Sequence, residues 1–168
     1  VVSRAEEGAR LLEAVEEARA RGFTEPDPRE DLSGADVGRK ALIIARAAGF
    51  DLEPEDVVVE PLVPGLEDGL EVALERFEGE LRQRREVAAK DGKVLRYVAE
   101  ITKENTRVGL LPVDARGPIG ALRGPDNILV FRTSRYDELP LVIRGPGAGA
   151  EVTAAGVLGD VLKIARRV

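Results

Sequence analysis

The chain has 168 residues, of which 43% are hydrophobic and 33% charged, with a formal net charge of −6 and no Cys, His or Met. That length suits about one domain with a real core, the acidic balance and sparse aromatics argue against a nucleic-acid partner, and the apolar runs are too short for a membrane span or a signal-peptide core. Without Cys or His there is no disulfide, thiolate nucleophile, histidine- or cysteine-held metal or Ser-His-Asp arrangement, so proton transfer falls to Lys, Asp, Glu, Tyr or water.

Residues 9–20 are predicted as an amphipathic helix, with Leu11, Leu12, Val15 and Ala18 on one side and Gly22 as its stop. Residues 23–31 carry Pro26 and Pro28 and are expected to be irregular. A second helix is predicted over 33–48, opened by a Ser33-x-x-Asp36 capping box and closed by Gly49. Its residues Val37, Ala41, Leu42, Ile43, Ile44 and Ala45 leave it apolar nearly all round, so most of it should be buried.

Val57, Val58 and Val59 read as a short buried strand, and 69–91 as a long charged helix with Leu70, Leu74, Phe77, Leu81 and Ala88 in line. After Gly92 the period changes, and 93–101, 106–113, 127–133 and 139–144 read as strands. A last helix is expected over about 152–166. This order favours an α+β fold, a mixed β-sheet covered by helices, over a doubly wound one.

Three features could carry chemistry. Asp36 and Lys40 lie one turn apart on the second helix. They are either a surface ion pair contributing roughly 0.3–0.5 kcal/mol or a general acid/base lysine oriented by a carboxylate. Glu25, Asp27, Glu30 and Asp31 crowd the proline-rich loop, as a solvated turn, a divalent-metal site or a receptor for a substrate ammonium. Gly145, Gly147 and Gly149 precede the last helix, as a hinge, a cap or a close approach to a ligand. The spacing does not match G-x-G-x-x-G and no strand follows, so a complete Rossmann unit is not expected.

Residues 18–40 include Gly22-Phe23-Thr24-Glu25-Pro26-Asp27-Pro28-Arg29-Glu30-Asp31-Leu32-Ser33-Gly34, followed by Asp36 and Lys40. With 140–157, including Gly145-Pro146-Gly147-Ala148-Gly149-Ala150, and the shorter segments 92–98 and 124–128, they resemble the homoserine dehydrogenase family across essentially the whole chain. The resemblance implies NAD(P)-dependent interconversion of L-homoserine and L-aspartate 4-semialdehyde, on the route to threonine, methionine and isoleucine. It implies Lys40 as the acid/base with Asp36 beside it, substrate binding by Glu25, Asp31 and Asp36, cofactor contact at Gly149, and no metal site among these residues. It also implies a cytoplasmic homodimer with neither nucleic-acid nor membrane partners.

By the same resemblance, residues 1–150 are expected to form the substrate-binding, catalytic and dimerisation domain. Residues 151–168 should be a helix packing back on a nucleotide-binding domain that these residues do not include, so that most of the NADP or NAD site lies outside them. The lack of Met points the same way, to sequence upstream of Val1, and the 168 residues alone are expected to be inactive. Phe23 stands where the family more often has Tyr, and Gly38 where it usually has Ala. Two other readings remain: a noncatalytic dimerisation or amino-acid-binding module, and a metal enzyme using Glu25, Asp27 and Asp31.

Overall fold

The computed structural model describes residues 1–24, 27–124, 126–147 and 150–166. They form two compact units, Val1–Gly120 and Ala121–Val168.

The first unit opens with α1 (Val2–Glu6), α2 (Leu11–Ala20), α3 (Arg29–Ser33) and α4 (Ala35–Ala47). Strand β1 (Val57–Val59), the long helix α5 (Leu70–Lys90), β2 (Lys93–Ile101) and β3 (Thr106–Asp114) follow. The sheet order is β1-β3-β2, with β3 parallel to β1 and antiparallel to β2. This is a small mixed sheet with helices against it, the fold class expected from the sequence.

The core forms where the apolar stripes of α2 and α5 meet the sheet. Leu11 and Val15 from α2 join Leu74, Phe77, Leu81 and Ala88 from α5, together with Leu95 and Leu110 from β2 and β3. The spacing in α5 keeps these side chains on one face, while most of the charged remainder is turned to water and Arg84 and Arg85 lie half-buried at its margin.

Two arginines fix α1. Arg85 donates to the Ala5 carbonyl at 2.5 Å and the Glu6 carbonyl at 3.0 Å, tying the C-terminal end of α1 to α5. Arg96, only 7% exposed, donates to the Glu6 carboxylate at 2.6 Å and to the Gly120 carbonyl at 2.8 Å. A guanidinium buried this deeply is tolerable because it has an opposite charge and further acceptors around it.

The helix expected over 33–48 forms as α4, but it begins after Gly34, and the short α3 stands ahead of it. Ser33 is the last residue of α3, and its hydroxyl donates to the Glu30 carbonyl at 2.7 Å. The capping box therefore does not form, and Gly34, left-handed at φ 78°, occupies the junction. Helical structure also reaches back to Arg29, because Pro28 stands before its first turn, where a missing N–H costs nothing.

α4 is less buried than its composition predicts. Its packed face is Gly34, Gly38, Ala41 and Ala45, the smallest residues available, which let the helix lie close on the sheet. The larger apolar residues fall to the sides, and Ile43 is 66% exposed.

The second unit holds an antiparallel pair, β4 (Asp126–Phe131) and β5 (Leu141–Pro146), followed by α6 (Ala150–Ala165). The strands expected after Gly92 thus divide between two sheets. Arg144 and Asp126 form a cross-strand ion pair at 2.9 Å. On α6, Val157, Leu158, Val161 and Ile164 are exposed.

Candidate functional site

The segment with the strongest residue signature is built around the α3–α4 corner. Asp31 lies in α3, and the Thr24 hydroxyl donates to its carboxylate. Asp36 lies in the first turn of α4, and Lys40 one turn further. The Lys40 ammonium meets the Asp36 carboxylate at 2.7 Å, while Arg39 approaches the other carboxylate oxygen at 3.7 Å. The Lys40 and Asp36 side chains are 60% and 44% exposed. Among the described residues no apolar enclosure surrounds the lysine, and the pair faces open solvent.

Glu25 and Gly149, two further candidates, lie outside the described residues. Asp27 has a structural task. Its carboxylate accepts the Arg29 backbone N–H at 3.1 Å, at the start of α3, and the Arg29 guanidinium at 2.7 and 2.9 Å. These bonds, from the guanidinium first and the backbone second, hold its pKa at about 2. Among the described residues no three acidic side chains come together where they could hold a metal ion.

What lies beneath the corner was not visible in the sequence. Tyr97 of β2 donates its hydroxyl to the Glu60 carbonyl at 2.7 Å. A β-carbon on Gly34 would stand 1.8 Å from that hydroxyl oxygen, and one on Gly38 would stand 2.7 Å from Val59 Cγ2. Both glycines are therefore places where the helix backbone meets the sheet side chains directly. Burial first, and the Glu60 carboxylate second, push the Tyr97 phenol up to about 12. The signal that could have revealed this contact is the run of small residues at 34, 38, 41 and 45, spaced to share one helical face.

For a dinucleotide the described residues offer only an edge. A β-carbon on Gly145 would meet open space, so its backbone is approachable, whereas the corresponding side of Gly147 is filled by the Asn127 side chain. A cavity of about 420 Å³ lies along α5 and β2, lined by Arg82, Arg85, Lys93 and neighbours, and includes none of Asp31, Asp36 or Lys40. The residues present do not fit a complete cofactor site.

The bifunctional aspartokinase/homoserine dehydrogenase of Haemophilus influenzae is 44% identical, over 97% of this chain and 21% of that protein. The homoserine dehydrogenase of Emericella nidulans is 42% identical, over 95% of this chain and 47% of that protein. A Candida auris protein of unknown function, known from a crystal structure, superposes with a TM-score of 0.83 at 41% identity, over 93% of this chain and 46% of that one. The chain thus spans between about a fifth and about half of the length of these relatives. The family model for homoserine dehydrogenase matches residues 1–162, nearly the whole sequence, and the chain belongs to the homoserine dehydrogenase family.

Proposed function

We propose that these residues are the substrate-binding and proton-transfer part of an enzyme interconverting L-homoserine and L-aspartate 4-semialdehyde with NADP or NAD. The observation that carries this reading is the 2.7 Å Asp36–Lys40 pair on α4, one corner away from Asp31, within the family's signature segment.

The chain's own contribution is charge and a proton. In the reducing direction the Lys40 ammonium gives a proton to the aldehyde oxygen as negative charge develops there; in the oxidising direction the neutral amine takes it from the homoserine hydroxyl. Asp36 orients the lysine, and Glu25, Asp31 and Asp36 complement the substrate ammonium. Gly149 is assigned to the cofactor side. The residues present do not fit a complete nucleotide site, and the chemistry they supply ends at substrate binding and the proton.

Two further assignments belong to this reading. β2 is an edge strand of its sheet, which suits pairing across a twofold axis in a cytoplasmic homodimer. The exposed apolar side chains of α6 suit packing of 151–168 against a nucleotide-binding domain. A noncatalytic binding or dimerisation module is the second reading, favoured by the exposure of Asp36 and Lys40, since such a surface pair also arises from helix stability alone. Assay of the full gene product with homoserine and each nicotinamide nucleotide separates the two. Turnover supports the enzyme, and homoserine binding without turnover supports the module.

A further inference from the structure

Tyr97 belongs to the 92–98 segment that shares the family resemblance, yet the proposed chemistry makes no use of it. Its side chain starts on β2, spans the central strand β3 and ends beside the residue that follows β1. There the hydroxyl donates to the Glu60 carbonyl at 2.7 Å, and Glu60 is itself fixed by its N–H, which donates to the Val108 carbonyl of β3 at 2.9 Å. The side chain is therefore anchored at both edges of the sheet.

Its head bears on Gly34. The hydroxyl oxygen and Cζ would lie 1.8 and 2.9 Å from a β-carbon at that position. Gly34 ends α3 and begins α4, and its carbonyl accepts the first helical bond of α4, from Gly38, at 2.9 Å. Besides the Ser33 hydroxyl bond to the Glu30 carbonyl within α3, the corner is tied by Gly34 N–H to the Asp31 carbonyl at 3.3 Å and by Val63 N–H to the Leu32 carbonyl at 3.2 Å.

We propose that Tyr97 is a positioning residue of the candidate site: anchored to Glu60 and bearing on Gly34, it sets the angle between α3, which carries Asp31, and α4, which carries Asp36 and Lys40. This rests on the function proposed above. A displacement of about 1 Å in a reacting group can cost on the order of a hundredfold in rate, so a support at the pivot of two short elements has leverage on turnover. The upward shift of the phenol keeps it a neutral donor below strongly alkaline pH.

The test is kcat and KM for homoserine in the full gene product carrying Tyr97→Phe, Lys40→Ala, or both, at a temperature where each is folded. Tyr97→Phe keeps the ring and removes the anchor. It is expected to lower kcat by about tenfold and to cause no further loss in the Lys40→Ala background, because it acts through the placement of that lysine. Wild-type kcat in Tyr97→Phe, or the same loss in both backgrounds, overturns the proposal and leaves the acid/base assignment standing. Wild-type kcat in Lys40→Ala overturns that assignment and this inference with it. Should Tyr97→Phe fail to fold, Val59→Ala, which trims the β1 side chain packed beside both Gly34 and Gly38, loosens the same corner, and the same non-additivity with Lys40→Ala is expected.

Discussion

The hydroxyl of Tyr97 occupies the space that a side chain on Gly34 would need, 1.8 Å from the ideal β-carbon position. Gly34 is also left-handed, at φ 78°. Gly34→Ala therefore meets both a collision and a backbone penalty of about 1–3 kcal/mol. A clear loss of stability is expected in denaturant unfolding, and an unchanged midpoint and slope would show that the corner is looser than described.

Gly38 makes a subtler case. Alanine in mid-helix is favoured over glycine by about 1 kcal/mol, but here the new methyl would stand 2.7 Å from Val59 Cγ2. Overpacking of that kind costs about 1–3 kcal/mol, so Gly38→Ala alone should destabilise or at best break even. In a Val59→Ala background the obstacle is gone, and Gly38→Ala should be more favourable than in the wild type. Equal effects in both backgrounds would remove Val59 as the reason for glycine at this position.

The phenol of Tyr97 gives a pH signature. Its folded pKa is raised from 10.0 to about 12 by burial and by Glu60. The unfolded chain therefore loses its proton first as pH rises. Tyr97's contribution to stability is full below pH 10 and is lost as pH climbs through about 12. Stability measured from pH 9 upward should fall less steeply in Tyr97→Phe than in the wild type. Parallel curves would contradict the burial of this hydroxyl.

The Glu6–Arg96 pair predicts a large stability effect far from the candidate site. Glu6→Ala leaves a guanidinium buried without its counter-ion, a loss of roughly 3–5 kcal/mol for a well-buried pair. Thermal unfolding checks it. A change below about 1 kcal/mol would class the pair with exposed salt bridges.

Much of the architecture was legible in the sequence because it follows from period. The line Leu74, Phe77, Leu81 in α5 and the run 93–101 in β2 each carry one clear repeat, and both elements form where expected. The α3–α4 break was not legible, because Ser33 and Asp36 spell a capping box while Gly34 makes the actual junction. Asp36 and Lys40 could be paired from their spacing alone, since a helix brings such residues together. Tyr97 under Gly34 and Arg96 beside Glu6 could not, because those contacts depend on how the sheet is assembled. For α4, apolar composition suggested burial all round, but packing selected its small residues and left Ile43 outside.

Whether Lys40 moves the proton is decided by kcat for homoserine oxidation by Lys40→Ala in the full gene product. Loss of a positioned acid/base should lower kcat by about 10²–10⁴-fold. Folding should be little affected, because the side chain is mostly exposed and its pairing with Asp36 contributes only about 0.3–0.5 kcal/mol. A folded Lys40→Ala protein that turns over homoserine at the wild-type rate would return Lys40 to the role of a surface ion pair.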